Sequence, residues 1–169
     1  MVAMLLVLQV VSVTFVSIVM ALALAHALEL PGKMRLSEET YRAVQAIYYP
    51  GFTIGGIGEG LGLVSLLALL FLTPMGTAFW LTLAAFIVLA AMHGAYWLLL
   101  THPVNNFWVK DIAMGKAGSL FFGINAMDGR DDAHAPDWRA LRNRWEYSHI
   151  VRAFLGLTSQ TLLIIAIAL

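Results

Sequence analysis

The chain has 169 residues, of which 60% are hydrophobic and only 12% are charged, with no cysteine and a net charge of zero. This composition is too apolar for an ordinary water-soluble domain and is typical of a protein that crosses a membrane several times. Without cysteine there is no disulfide, thiolate metal site, iron–sulfur cluster or covalently attached c-type haem. A neutral chain also lacks the basic surplus of nucleic-acid-binding proteins, so we expect no nucleic acid partner.

Four apolar segments follow one another, each near the ~20 residues that a membrane-spanning helix needs. We expect spans at residues 2–28, 52–72, 78–100 and 146–169 of a single domain. The first span is expected to be retained, because no basic residue precedes Lys33 as it would in a signal peptide. The sequence therefore predicts an all-α integral membrane four-helix bundle in contact with lipid, which we place in a bacterial inner membrane.

The connection between spans one and two predicts a short helix of its own. Pro31 and Gly32 predict the end of the first helix. Ser37, followed by two acidic residues, predicts the N-cap of the next helix. Apolar residues then recur at helical spacing up to Pro50, which indicates a helix lying at the membrane interface. These residues are Tyr41, Val44 and Tyr48.

Span two opens with five glycines in eight residues, from Gly55 to Gly62. Glycines weaken a helix but permit close backbone approach, either to a neighbouring helix or to a flat ligand. Among them stands Glu59, which is the only Asp, Glu, Lys or Arg between Ala43 and Val109. A lone carboxylate in an apolar run tends to mark a functional or ion-paired site inside the membrane.

Span three carries His93 and, at its end, His102. Nine residues correspond to about half a turn of difference in direction around an α-helix, so both cannot face the core unless Pro103 breaks the helix first. We expect one of the two histidines to point away from the site.

The connection of residues 101–137 is long, and loops beyond ~15 residues are usually functional or disordered. Residues 119–124 suggest an apolar lid or a re-entrant contact, and His134 is expected to be solvated. Residues 115–123 lack the Gly-Lys-Ser/Thr ending of a phosphate loop, so we expect no nucleotide there. Asp137 predicts the N-cap of a helix that runs into span four.

Basic residues outside the spans fall in only two connections. By the positive-inside rule, both of these connections are cytoplasmic and both chain termini face outside. The basic residues are Lys33, Arg35, Arg42, Lys110, Lys116, Arg130, Arg139, Arg142 and Arg144.

Two polar motifs should meet at the cytoplasmic end of the bundle. Span one ends with His26-x-x-Glu29 and span four begins with Glu146-x-x-His149, in the opposite order. Because the two spans run in opposite directions, like residues lie at like depth. A separation of three residues at ~1.5 Å per residue places the histidines ~4.5 Å deeper than the carboxylates.

Arg152 lies one further turn into span four, at a depth similar to that of Glu59. The sequence therefore predicts an ion pair between these two residues.

This polar cluster permits three interpretations. In the first, it binds a metal ion, as in the di-iron bundles that use Glu-x-x-His motifs on facing helices. Span three offers no carboxylate, so the match is incomplete. The candidate metal ligands are His26, Glu29, Glu59, Glu146 and His149.

In the second interpretation, His26 and His149 on facing helices clamp a b-type haem, with His93 or His102 as substitute ligands. Haem needs only axial ligands and an apolar slot. Arg142 or Arg144 would then lie near its propionates.

In the third interpretation no cofactor is present, and the cluster acts as acid and base on a bound organic molecule. Histidine is suited to take a proton near neutral pH. Aromatic residues would wall the site, although they and the charges could instead form an interfacial belt. They are Tyr96, Trp97, Trp108, Trp138 and Trp145.

Two motifs resemble those of the anthrone-oxygenase-like family of small four-helix membrane proteins. They are Pro103-x-Asn105 after span three and Trp145-Glu146-x-x-His149-x-x-Arg152 in span four. The resemblance covers the four-span layout and implies the oxidation of an anthrone to a quinone by molecular oxygen without an added cofactor. An anthrone has an acidic carbon beside a carbonyl, so a neutral His149 could remove its proton. Asn105 or Arg152 could stabilise the enolate oxygen.

We therefore expect an oxygenase-like membrane oxidoreductase that acts on a hydrophobic aromatic or quinone-like molecule. The alternative is an accessory or haem-binding electron-transfer subunit of a larger membrane complex, and a homo-oligomer is also open. The cofactor is left as none, a metal held by histidine and carboxylate, or haem b. The expected site comprises His26, Glu29, Glu59, Asn105, Glu146, His149 and Arg152.

Overall fold

The computed structural model describes residues 2–109, 115–116, 118–119 and 137–169. These ranges are helical almost throughout and contain no strand. Four helices are long and apolar enough to cross a membrane. The prediction of an all-α bundle is confirmed. The expected lid at residues 119–124 lies outside the described residues except for Ser119, and His134, Lys110 and Arg130 lie outside them as well.

The helices follow the predicted order along the chain. Helix α1 is followed by the short α2 and a 3₁₀ turn, then by α3. The third span consists of α4, a π-helical segment and the start of α5, and the last span is α6. Their bounds are α1 Val2–Lys33, α2 Glu38–Gln45, 3₁₀ turn Ala46–Tyr48, α3 Gly51–Leu72, α4 Thr77–Ala91, π-helical segment Met92–Thr101, α5 His102–Val109 and α6 Trp138–Ala168.

Helix α1 continues through Pro31 to Lys33, so the prediction that it ends at Pro31 and Gly32 was wrong. A proline removes one helical hydrogen bond, and here the loss falls in the last turns, where the next bond, from Met34 N to Leu30 O at 3.0 Å, still forms. The extra turn carries Lys33 into the bundle, where it is only 5% exposed.

The third span also extends further than predicted, because the helical path continues past residue 100 to Val109. Pro103 lies in the first turn of α5, a position where a missing backbone N–H is tolerated. The π-helical winding of the preceding ten residues changes the direction of the side chains that follow it. As a result, the nine residues between His93 and His102 do not place their side chains on opposite helix faces as they would in an α-helix.

Both predicted N-caps are present. The Ser37 hydroxyl accepts a hydrogen bond from the Thr40 N–H at 3.3 Å, and the Asp137 carboxylate accepts one from the Arg139 N–H at 3.0 Å. These caps set where α2 and α6 begin. The predicted short helix between spans one and two is therefore present as α2, and the 3₁₀ turn continues it to Tyr48.

The four long helices form a ring in which α6 packs on α1 and α4, and α3 closes the ring between them. The half of the bundle far from α2 is packed with apolar side chains. Glycines allow close approach there: a Cβ added at Gly156 would lie 3.2 Å from the Cα of Met20, and one at Gly58 would lie 3.4 Å from the Ile18 side chain. This supports helix packing as the role of these glycines. The apolar core includes Val16, Val19, Leu66, Leu69, Ala85, Leu89 and Leu163.

The opposite end, which we call the α2 end, is covered by α2 and the 3₁₀ turn. The core at the α2 end is aromatic, whereas the core of the other half of the bundle is aliphatic. Tyr41 is wholly buried there. The members of this cluster are Tyr41, Tyr48, Val104, Trp108 and Trp145. This aromatic cluster covers the polar residues between the spans at this end.

Candidate functional site

A cavity of about 30 Å³ lies between the spans close to the α2 end. A water needs about 10–15 Å³ by the same measure, so the cavity has room for roughly two waters. Drug-sized ligand sites are usually about 300–1,000 Å³. The cavity is lined by Leu22, Ala23, His26, Tyr48, Phe52, Gly56, Glu59, Trp97, Thr101, Asn105, His149 and Arg152.

Two histidines from facing helices meet at this cavity. The ring centroids of His26 on α1 and His149 on α6 are 4.1 Å apart, with the ring planes tilted by 35°. The Trp145 ring touches both, with centroids 4.8 Å from His26 and 4.4 Å from His149. The prediction that the two histidines lie at equal depth is confirmed.

The predicted ion pair between Glu59 and Arg152 is present. The Nη2 of Arg152 donates to Oε1 of Glu59, and both side chains are buried. The other carboxylate oxygen of Glu59 accepts from Nδ1 of His93 at 2.6 Å. Glu59 thus joins a residue from span three and one from span four, which explains how a lone carboxylate is tolerated in an apolar run.

Arg152 also contacts His149. Its Nη1 lies 3.4 Å from Nδ1 of His149, three residues earlier on the same helix. The guanidinium therefore bridges the deep carboxylate and the histidine pair.

Lys33 plays a similar part on the other side of the histidine pair. Its ammonium lies 3.2 Å from Nδ1 of His26, 2.8 Å from Glu29 and 3.6 Å from Glu146. It also lies 4.9 Å from the ring centroids of both Tyr48 and Trp145. A buried ammonium is stable only with such partners.

Two tyrosines from the segment between the spans bind the carboxylates of this cluster. The Tyr41 hydroxyl donates to Glu146 at 2.7 Å, and the Tyr48 hydroxyl donates to Glu29 at 2.6 Å. Burial raises the pKa of Tyr41 above its usual value, and the charge of Glu146 raises it further. Burial and the hydrogen bond to Glu29 raise the pKa of Tyr48 in the same direction. Both phenols therefore remain neutral donors well into the alkaline range.

Asn105 lines the cavity and is held by Trp145. The indole N–H donates to the amide oxygen of Asn105 at 2.8 Å. Since the oxygen is engaged, the amide NH₂ group is the part of Asn105 that can donate to a ligand. Thr101 and Ser148 hydrogen-bond each other at 2.8 Å beside it.

Some buried polar atoms of the cluster have no hydrogen-bond partner within the described residues. They include Nε2 of His149, Nε of Arg152 and Oε2 of Glu146. Unpartnered buried polar atoms are rare in native proteins, and they usually mark water, an ion or a functional site. The first two belong to residues that line the cavity.

The predicted metal ligands do not converge. Over residues 2–109 and 137–169, no group of three or more histidine or carboxylate side chains is placed to hold a metal ion. Glu29 is engaged by Lys33 and Tyr48, while Glu146 is engaged by Tyr41. Both carboxylates thus bind protein donors, whereas the metal interpretation required them to be free to bind an ion.

The haem interpretation also fits poorly. The rings of His26 and His149 are in direct contact, so no macrocycle lies between them without a separation of α1 from α6. Arg142 hydrogen-bonds the Asn143 side chain, and Arg144 hydrogen-bonds the backbone oxygen of Leu99 at 2.7 Å. Neither arginine reaches toward the histidine pair.

His93 and His102 have different surroundings. His93 bonds Glu59 and stacks on Trp97 with ring centroids 5.0 Å apart. His102 contacts the Trp97 ring at 4.9 Å, and neither of the two histidines lines the cavity. Trp97 and Trp145 belong to the site, whereas Trp138 is only partly buried and lies farther out on the α2 end.

Three residues of the site were not predicted from the sequence, namely Lys33, Tyr41 and Tyr48. Lys33 was taken as a loop charge because Pro31 predicted the end of α1. A signal was present, since Lys33 lies seven residues after His26 and four after Glu29, on one helix face. The tyrosines could not be placed because their partners lie on other helices.

Comparisons with known proteins give no relative. No family model matches the chain, no curated protein is significantly similar to it, and no solved structure matches it.

Proposed function

We propose that the protein is an oxygenase-like membrane oxidoreductase that acts on a hydrophobic aromatic or quinone-like molecule. The observation that carries this proposal is the cavity lined by His26, His149, Arg152 and Asn105 from three spans, where polar atoms of His149 and Arg152 have no hydrogen-bond partner among the described residues. Buried, preorganised donors of this kind stabilise charge that develops on a substrate oxygen. The resemblance to anthrone oxygenases suggests the substrate class.

The reaction would combine an anthrone with molecular oxygen to give a quinone and water. Transfer of one proton from the acidic carbon to water gives an enolate, whose carbon forms a bond to molecular oxygen. The resulting peroxide anion takes back a proton and becomes a hydroperoxide. Loss of water from the hydroperoxide then forms the second carbonyl. Donors at the site would favour the first step because they stabilise the negative enolate oxygen.

An aromatic substrate needs more space than the cavity provides, so part of its wall must move. Tyr48 is the lining residue that lies outside the long helices, in the 3₁₀ turn after α2. Its displacement would open the cavity without bending a span. We propose this turn as the entrance for substrate.

We place the α2 end on the cytoplasmic side of a bacterial inner membrane. The support is the set of basic residues at this end, including Arg35, Arg139 and Arg144, which are all exposed. Labelling Lys116, also exposed, with an impermeant amine reagent tests this orientation. Reaction in inverted vesicles but not in intact cells is expected, and the reverse would contradict it.

The activity is tested with the purified protein in detergent and an anthrone as substrate. Oxygen uptake and quinone absorbance should rise together in a one-to-one ratio. His149→Ala should abolish both signals with the helical content unchanged, whereas the matched control Tyr147→Phe, on an exposed position of the same helix, should retain them. Unchanged oxidation by His149→Ala would contradict the proposed site.

A visible absorption spectrum and elemental analysis of the same preparation test the cofactor alternatives. A Soret band would favour the haem-binding electron-transfer subunit, and a stoichiometric metal would favour a site of histidine and carboxylate ligands. Either result would contradict the cofactor-free mechanism proposed above.

A further inference from the structure

We infer that His149 is a hydrogen-bond donor to a ligand oxygen, a carbonyl or enolate oxygen, rather than the base that removes a proton from the ligand. The identity of that ligand rests on the proposed function, while the role of the imidazole rests on the contacts of its two nitrogens.

The Nδ1 atom of His149 faces a hydrogen-bond donor. Its neighbour is Nη1 of Arg152 at 3.4 Å, and a guanidinium has N–H donors but no lone pair. In this contact Nδ1 must therefore be the acceptor. A neutral imidazole carries a single hydrogen, so that hydrogen resides on Nε2.

His26 has the same arrangement. Its Nδ1 lies 3.2 Å from the ammonium of Lys33, which also has no lone pair. The carboxylate of Glu29 is farther from Nδ1, at 3.8 Å, and is itself bonded by Lys33 and Tyr48. Both histidines thus present Nε2–H groups.

A doubly protonated His149 is opposed by its surroundings. Its Nδ1–H would point at the N–H of Arg152, and its ring touches the His26 ring, which has Lys33 on the other side. Like charges at these distances repel strongly in a buried site. The neutral Nε2–H form satisfies all of the contacts.

The N–H donors at the cavity lack acceptors. Nε2 of His149 and Nε of Arg152 are buried N–H groups without an acceptor in the described part of the chain. Two acceptors that line the cavity have other donors, because Glu59 is bonded by Arg152 and His93 and the Asn105 oxygen by Trp145. Within the described residues, neither N–H group has an acceptor. We infer that the missing partner is an oxygen atom of a bound ligand.

The cavity walls indicate what carries that oxygen. Beside the donors lie Leu22, Ala23, Phe52 and the Trp97 ring. A ketone or quinone has one exposed acceptor oxygen on an apolar body, which matches donors set in an apolar wall. An ordered water is the competing occupant, and the cavity volume admits it.

Nitrogen-15 NMR of the histidine-labelled protein in lipid nanodiscs tests the tautomer directly. Protonated and bare ring nitrogens have well-separated shifts, and His149→Gln and His26→Phe assign the signals by removing them. We expect hydrogen on Nε2 and none on Nδ1 for both residues. Arg152→Met should allow Nδ1 of His149 to become protonated. A hydrogen on Nδ1 of His149 in the unaltered protein would overturn the inference.

Binding of anthraquinone, which has carbonyl oxygens but no proton to lose, tests the donor role. The amide nitrogen of glutamine is as many bonds from Cα as Nε2, whereas that of asparagine only matches Nδ1. His149→Gln should therefore bind within about threefold of the unaltered protein, and His149→Asn should lose about tenfold, the equivalent of one hydrogen bond. Quenching of tryptophan fluorescence reports the binding, with Tyr147→Phe as control.

The outcomes separate this inference from the proposed function. Equal loss of binding in both amide variants would overturn the donor role, and so would equal retention. If the unaltered protein bound no anthraquinone while NMR showed the Nε2–H form, the carbonyl ligand would be refuted and water would be the occupant. If the two amide variants differed in quinone binding as expected but the unaltered protein did not oxidise an anthrone, the proposed reaction would fail and the donor site would stand.

Discussion

Within the protein, two chains of contacting side chains lead to the cavity from opposite sides. Each consists of a carboxylate, a cation and an imidazole. The deep chain consists of Glu59, Arg152 and His149, and the shallow chain consists of Glu146, Lys33 and His26, with Glu29 as a second carboxylate. In each chain the cation lies between the carboxylate and Nδ1 of the histidine. The two histidine rings then meet at 4.1 Å.

The two chains differ in their contact with the surroundings. Every member of the deep chain is buried, while the Glu29 side chain in the shallow chain is 45% exposed and is also held by Tyr48. Water can replace a lost partner only at the shallow chain. Loss of one partner should therefore cost more free energy in the deep chain, where no solvent can compensate.

Removal of Arg152 should have the largest effect. Arg152→Met leaves Glu59 buried without a cation, and breaking a buried pair in this way costs about 3–5 kcal/mol. Unfolding in a denaturing-detergent titration measures this free energy. The double variant with Glu59→Gln should recover part of the loss, whereas Arg139→Met, at an exposed position, should be neutral. Additive losses in the double variant would contradict the ion pair.

Removal of Lys33 should cost less. Lys33→Met deprives Glu146 of its cation, but Tyr41 still donates to that carboxylate and Glu29 can be solvated. We expect about 1–3 kcal/mol in the same titration. Arg35→Met, two residues away and exposed, should change stability by less than about 0.5 kcal/mol. Equal losses for Lys33→Met and Arg152→Met would show that burial does not distinguish the two chains.

The loss of a tyrosine hydrogen bond should also cost more free energy at the buried carboxylate than at the exposed one, and both costs should be smaller than those above. Tyr41→Phe removes the donor from buried Glu146 and should cost about 1–2 kcal/mol. Tyr48→Phe removes a donor from half-exposed Glu29, where water can take its place, and should cost less than about 1 kcal/mol. The two variants are matched controls for each other, and the opposite ranking would contradict the assignment.

Alkaline pH should lower the free energy of unfolding, because both tyrosines ionise in the unfolded chain at a lower pH than in the folded protein. Because the folded protein raises the pKa of Tyr41 and Tyr48, their contribution is fully present below the unfolded value of about 10 and declines as the pH rises above it. The limiting slope is about 1.4 kcal/mol per pH unit for each phenol. Unfolding titrations between pH 9 and 11 should show this decline, with a shallower slope in Tyr41→Phe. Stability that increased with pH in this window would contradict the raised pKa values.

Depth along the spans could be predicted from the sequence. Counting residues from the ends of the helices was enough to place His26 beside His149 and Glu59 beside Arg152, because helix rise is constant. The four-helix architecture followed from hydropathy alone.

Partners that arrive from another element could not be predicted in this way. Tyr41 and Tyr48 reach the carboxylates only because α2 folds over the end of the bundle, which local periodicity does not encode. The candidate metal ligands Glu29 and Glu146 were placed at the correct depth, yet Lys33 and the two tyrosines engage them. Lys33 itself was missed because the effect of Pro31 on the last turn depends on what that turn contacts.

The π-helical segment Met92–Thr101 makes the length of span three part of the site. His93 and Trp97 lie within this stretch and Asn105 lies just after it, and all three reach the cavity or the ion pair beside it. Rewinding this segment as an α-helix without a change in its length would turn one part of the span against the other, because an α-helix turns by ~100° per residue and a π-helix by less. His93 and Asn105 could then no longer both face their present partners, although every side chain of the cluster would still be there. The winding and the residue count of this stretch are therefore linked, and related sequences should be aligned with the length of this span in mind.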